Sequence, residues 1–337
     1  MTLDLTTKTA IEEFSCLEAE ATLAAELART FVRTDDYLQF RHQVFRVLTS
    51  REAQLKLGVF EQKGVALLGP AGAGKSRFVE EVIKEFGQVT AASSGCEFGS
   101  RIISVIVPGA ASVKDTCGAI LLELGYDIQS NRDENYLWRK VKSQMKLEKV
   151  AALHLDEVQD SGRFKTSTSM ANFAKHFRNM MQDREWPVCL ILTATLDAKE
   201  FINRDPTLTR RLKPIEMRDA NAKTEGPLLR SAILQMAGKL NLDDDGLISE
   251  PEFIAILIHA GASCFGLAME IAVDALALAR SEGSATLNYS HFAEVYFSRS
   301  NSDDENNPFM SDDWKNIDTR KAMDRYLSQK QSRAKSR

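Results

Sequence analysis

The stretch Gly69-Pro70-Ala71-Gly72-Ala73-Gly74-Lys75-Ser76 constrains this chain more than any other. It matches G-x-x-x-x-G-K-[ST], a pattern that carries meaning only between a strand and a helix. Both flanks are present. Val65 to Leu68 is an apolar run of strand length, and Phe78 to Phe86 has helical spacing. Glycines let such a loop curl until successive backbone N–H groups point inward at phosphate oxygens. The positive end of the next helix adds to that field. Lys75 would reach the β- and γ-phosphates, and the Ser76 hydroxyl would bind Mg²⁺. The candidate nucleotide-binding residues are therefore Gly69, Pro70, Ala71, Gly72, Ala73, Gly74, Lys75, Ser76 and Arg77.

The chain supplies a framework for this loop. Arg101 to Val107 reads as a buried strand stopped by Pro108, followed by helices over 112–124 and 134–147. Val150 to Leu155 is a second apolar strand, and it ends in Asp156-Glu157. Asp156 would hold Mg²⁺ through water, and Glu157 would orient and polarise the attacking water. His154 reads as a core histidine with satisfied ring nitrogens. After the strand Val188 to Thr193, Thr195 is the preferred sensor of the γ-phosphate or lytic water, with Thr193 in reserve. The alternative for Thr195 is a plain threonine turn. A short helix ending in Arg210-Arg211 precedes a last strand near Pro214 to Met217. Strands alternating with helices predict an α/β fold with a parallel sheet covered on both faces. Beyond Asp219 the pattern is helical over 227–240, 250–260, 266–281 and 289–297, which suggests a small lid. The expected division is an N-terminal helical segment (1–50), an α/β ATPase domain (51–220), a helical lid (221–298) and a flexible charged tail (299–337).

Residues 1 to 20 read as loosely ordered. The arginines that follow (Arg29, Arg33, Arg41, Arg46, Arg51) fit a solvated helix face or a surface facing DNA or a partner. The net charge is −4, so nucleic-acid binding would need a local patch or an oligomer's channel. The five cysteines are scattered, with no C-x-x-C pair, which fits a reducing cytoplasm and argues against a disulfide framework or a zinc site. No apolar run reaches membrane-span length, so no membrane partner is expected. Asn241 to Glu252 has the spacing of a calcium loop, but Ser249-x-x-Glu252 explains it better as a capping box. In the tail, acids dominate 301–318 and bases 319–337, with Phe309, Met310 and Trp314 as isolated apolar anchors of a docking arm.

Together these motifs resemble an AAA+ ATPase, and within that class the TniB/TnsC regulators of transposition. The finer resemblance rests on Arg33-Thr34-Asp35-Asp36-Tyr37, on Pro108 and Leu124-Gly125, and on Arg204-Asp-Pro-x-Leu-x-Arg-Arg-Leu212. It spans residues 25–298. It implies the sheet order 5-1-4-3-2 and a homo-oligomer, ring or helical filament with a hexamer or heptamer per turn, with ATP at each subunit interface. It also implies that Arg210 or Arg211 is an arginine finger completing a neighbour's site. Partners would be double-stranded DNA, a transposase and target-selector proteins. DNA contacts would fall at Ser112, Val113 and Lys114, with Arg163 and Lys165 as a second candidate loop; Lys114 alone also reads as a plain surface lysine. One departure stands out. Gly261 to Glu270, at the third lid helix, has no Arg or Lys where a sensor arginine is common, which suggests slow, switch-like hydrolysis. A replication-initiator or clamp-loader-like remodeller and a secretion-associated ATPase of the ExeA/GspA type are the rival readings.

Overall fold

The computed structural model describes residues 5–93, 96–108, 112–126, 132–158, 167–199, 206–323 and 326. They fall into two compact units. One holds Asp35–Pro70 and Lys75–Arg218; the other holds the chain up to Thr34, Ala71–Gly74 and everything from Asp219 onward.

The first unit is built on five strands: β1 (Gly64–Leu68), β2 (Arg101–Ile106), β3 (Val150–Asp156), β4 (Cys189–Ala194) and β5 (Leu212–Glu216). They pair in parallel in the order β2-β3-β4-β1-β5, the order that the resemblance implies. β1, β3 and β4 are buried along their whole length, as expected of central strands covered by helices on both faces. Among the described residues, the helices of this unit are α2 (Asp35–Lys56), α3 (Lys75–Ala92), α4 (Val113–Glu123), α5 (Glu134–Leu147), α6 (Ser167–Met181) and the single turn α7 (Pro206–Thr209).

Helix α2 is tied to the sheet, which corrects part of the reading of its arginines. Arg51 is 1% exposed. Its guanidinium donates to Pro187 O and Phe98 O at 2.9 Å each, beside the Trp186 ring. Arg41 pairs with Glu85. Tyr37 packs edge-on against Phe78, with ring centroids 5.3 Å apart. Arg51 is therefore not a solvated charge awaiting DNA, and Arg41 is half-buried in an ion pair within the protein.

The second unit comprises α1 (Leu5–Leu27), α8 (Gly226–Leu240), α9 (Pro251–Ala260), α10 (Phe265–Ser281) and α11 (Tyr289–Ser300). Its core is almost wholly aliphatic and aromatic, centred on Ile233, Phe253, Leu257, Ile271 and Phe292. Leu23, Ala24 and Leu27 of α1 join that core. The first residues were expected to be loose; instead the chain is helical from Leu5.

The tail differs more. Residues 301–323 are packed rather than flexible. Phe309 is 6% exposed, within ring contact of Phe253, Phe292 and Tyr296. Thr319 donates to His259 O at 2.7 Å, and His259 Nε2 donates to Ile317 O at 3.0 Å. Two of the acids that suggested a solvated arm cap turns. Asp303 accepts from Asn306 N, and Asp318 from Lys321 N. In the acidic loop before α9, Asp243 and Asp244 likewise accept backbone amides. The capping box expected at Ser249 is absent: Ser249 lies in a 3₁₀ turn, and Glu250 precedes α9 without a side-chain cap.

Candidate active site

The phosphate loop runs from the end of β1 to the start of α3. Gly74 has φ +97°, a conformation open to glycine and strained for other residues. Lys75 is 7% exposed, and its Nζ donates to Gly69 O at 3.0 Å and Pro70 O at 2.9 Å. The ammonium is thus folded onto carbonyls of its own loop, where an incoming phosphate could take their place. Arg77 points elsewhere, pairing with Glu80 and Glu81 on α3.

Within the helical unit, the middle of the loop meets α10. A Cβ at Gly266 would lie 2.5 Å from Gly72 O and 3.1 Å from Gly74 N. A larger residue there would push the loop out of shape. The turn into α10 is therefore specialised for backbone contact, in the same segment that lacks a sensor arginine.

The end of β3 faces the loop's own end. Ser76 Oγ donates to Asp156 Oδ2 at 2.7 Å. Asp156 Oδ1 accepts from Glu157 N at 2.9 Å and from the Thr193 hydroxyl. A hydroxyl and a 6%-exposed carboxylate, both hard oxygen donors, fit a Mg²⁺ ion. Glu157 has φ +57°, a left-handed backbone uncommon for a glutamate. Outliers of this kind cluster at functional sites.

β4 places the two threonines differently. Leu155 is level with Leu192, so Asp156 is level with Thr193, which is fully buried. Thr195 lies two residues further on, about 6–7 Å along an extended strand, where the chain leaves the sheet and its carbonyl accepts from Ala198 N at 3.1 Å. Thr193, the reserve, is the threonine brought to the carboxylate. His154 is 1% exposed with both ring nitrogens engaged, as expected. Burial pushes its pKa down to about 4 against the pull of Asp156, so the ring is neutral.

The arginine pair separates into two environments. Arg211 is 4% exposed and donates to Thr207 O at 3.0 Å and Glu61 Oε1 at 2.9 Å. The Arg210 side chain is 69% exposed and touches the same Glu61 oxygen at 2.8 Å. Arg211 therefore holds the turn between α7 and β5, and Arg210 is the one available to another molecule. Glu61 was not foreseen; it lies 149 residues from Arg210, beyond any local pattern.

Of the other predicted contacts, Lys114 is exposed in the first turn of α4, and Val113 is buried. Ser112 is the N-cap of that helix, its hydroxyl bound to Asp115 in a capping box. Arg163 and Lys165 lie outside the described residues. No single helix among the described residues is long and apolar enough to cross a membrane.

Comparison with known proteins agrees with this geometry. Residues 59–202 match the AAA domain family. No curated protein matches the sequence. Among solved structures, the chain is similar to the Aeropyrum pernix ORC2 protein in its ADPNP–ADP complexes, at 14% identity and a TM-score of 0.58, covering 80% of this chain and 69% of that one. It is similar to the Aeropyrum pernix ORC1 protein in complex with DNA, at 13% identity and 0.56, covering 82% and 67%. Cdc6p from Pyrobaculum aerophilum gives 10% identity and 0.54, covering 80% and 69%. At these identities the likeness speaks for the fold. Residues 59–202 match the AAA domain family, and the α/β fold is that of the AAA+ P-loop ATPases to which the chain is similar.

Proposed function

We propose that this chain is an ATP-dependent, DNA-binding regulator of DNA transposition that oligomerises on duplex DNA and links target selection to a transposase. The observation that carries the assembly half of this reading is the split of the arginine pair. A buried Arg211 fixes the turn, and an exposed Arg210 projects from it, as a residue acting on a neighbouring subunit's ATP would. Guanidinium suits that role because its fork pairs with phosphate oxygens. Within one subunit, Lys75 would hold the phosphates, Ser76 and Asp156 would hold Mg²⁺, Thr193 would fix Asp156, and Glu157 would orient water. When bound, Mg²⁺ would supply neutralisation of the phosphate charge. The transposition half rests on the sequence resemblance, above all the segment that ends in Arg210-Arg211-Leu212. Lys114 at the start of α4 is the candidate DNA contact.

A second reading has its own support. The ORC1 protein to which this chain is similar is in complex with DNA, so a replication-initiator-like remodeller fits the same fold and site.

Electron microscopy with ATP or ADP, with and without duplex DNA of arbitrary sequence, tests the assignment. The expected outcome is ATP-dependent rings or filaments that coat DNA without opening it. A chain that stays monomeric with ATP and DNA overturns the proposal. ATP-dependent strand opening at a specific sequence favours the initiator reading.

A further inference from the structure

A run of polar side chains crosses three adjacent strands and ends at the candidate metal site. Ser104 on β2 is level with His154 on β3, and its Oγ lies 2.7 Å from His154 Nδ1. His154 Nε2 lies 2.8 Å from Thr193 Oγ1 on β4. Thr193 donates to Asp156 Oδ1, and Ser76 donates to Asp156 Oδ2 at 2.7 Å. His154 and Thr193 are 1% and 0% exposed, so these contacts are what satisfies them.

Counting protons orients the whole run. A carboxylate only accepts hydrogen bonds, and a hydroxyl has one proton to give. The Thr193 proton goes to Asp156, so toward His154 its oxygen can only accept. His154 Nε2 must then carry the ring proton. Nδ1 is left as an acceptor, and the Ser104 hydroxyl donates to it. The other acceptor near Thr193 is Leu155 O, at 3.5 Å, well beyond a good hydroxyl bond.

We propose that His154, held as its Nε2–H tautomer by Ser104, is a positioning residue for ATP hydrolysis. It aims the Thr193 hydroxyl at Asp156 Oδ1, which keeps Oδ2 turned toward Ser76 and the metal. His154 touches neither nucleotide nor metal; it acts through Thr193. This rests on reading Ser76 and Asp156 as the Mg²⁺ site. Its chemistry is that of an outer partner orienting a metal ligand, whose loss typically costs about 10–100-fold in metal affinity or activity.

Three variants and two readouts test it. His154→Gln keeps an N–H near the Nε2 position, His154→Leu removes it, and Ser104→Ala removes the donor to Nδ1 at an exposed position. The first readout is the imidazole ¹⁵N spectrum of the nucleotide-free chain, with the His154 signals identified by their loss in His154→Gln. The expected result is a proton on Nε2 in the wild type and a mixture of tautomers in Ser104→Ala. The second is the Mg²⁺ concentration needed for half-maximal tightening of a fluorescent ATP analogue, beside its binding in EDTA. His154→Leu should need about 10–100-fold more Mg²⁺ with unchanged binding in EDTA, and His154→Gln should stay within a few-fold of wild type. A proton on Nδ1 in the wild type overturns the proposal. So does wild-type Mg²⁺ dependence in His154→Leu, even if its melting temperature falls, because that describes a merely structural histidine. If wild-type binding does not respond to Mg²⁺ at all, the reading of Ser76 and Asp156 fails instead. Should His154→Leu fail to fold, the wild-type spectrum and Ser104→Ala still decide the matter.

Discussion

Replacing Arg210 and Arg211 one at a time should separate structure from assembly. The Arg210 side chain is 69% exposed, and its one ion pair among the described residues is to a Glu61 side chain that is itself 50% exposed. Exposed pairs contribute about 0–1 kcal/mol. Arg210→Ala should therefore move the melting temperature by no more than a few degrees. Arg211 is 4% exposed and bonds a backbone carbonyl as well as Glu61. Losing hydrogen bonds from a charged, buried donor costs about 2–3 kcal/mol. At roughly 2–4 °C per kcal/mol for a unit of this size, Arg211→Ala should melt about 4–12 °C lower. Hydrolysis should follow the opposite order of selectivity. Arg210→Ala should bind ATP normally as a monomer yet lose oligomer-dependent turnover; fingers supplied in trans are worth about 10³–10⁵-fold in other NTPases. Mixing it with Glu157→Gln should recover part of that turnover, because one interface then joins an intact Glu157 to an intact Arg210. Thermal unfolding and phosphate release on the two single variants and the mixture give the answer. If Arg211→Ala melts like wild type but stops hydrolysis while Arg210→Ala hydrolyses normally, burial has been misread and Arg211 is the finger. If mixed oligomers form yet stay inactive, Arg210 does not act across an interface.

Lys75→Ala should abolish ATP binding, whereas Glu157→Gln should bind ATP, stop hydrolysing it and accumulate the assembled state; normal phosphate release by Glu157→Gln would remove it from the role of water-orienting base. Lys114→Ala should weaken DNA binding equally for all sequences and flatten the salt dependence by about one unit of slope, and an unchanged slope would take Lys114 out of the interface. Phe309→Ala should destabilise the helical unit by about 3–5 kcal/mol in urea unfolding, since Phe309 is buried among Phe253, Phe292 and Tyr296; a loss below about 1 kcal/mol would mean that the segment is detached in solution.

What was legible in the sequence was whatever repeats along the chain. Apolar runs located four of the strands, the fifth was placed two residues late at Pro214 to Met217, and the loop at 69–76 with Asp156-Glu157 pointed to the candidate site, because each signal lies within one element. What was not legible depends on which elements become neighbours. Thr193 meets Asp156 because of the β3–β4 register, which no local pattern encodes. Arg51 looked like its exposed neighbours until its partners, Pro187 and Phe98, came from distant parts of the chain. Phe309 and Thr319 seal the helical unit through single contacts spaced too irregularly to have a period. Composition alone made 301–323 read as a free arm, since capping acids and solvated acids look alike in a sequence.

The two ends of the sheet are not equally protected. β5 forms one edge, and its exposed Pro214 offers no backbone N–H between exposed Lys213 and Glu216. That edge is closed to a further strand. β2 forms the other. Among the described residues it pairs only with β3, it carries no proline, and Ile106 is 68% exposed at its end. Arg101 is its one charged residue. Unpaired edge groups of this kind template the addition of another strand. When the chain is concentrated or partly unfolded, misassembly should therefore begin at β2, and a lysine in place of Ile106 would be the change that blocks it.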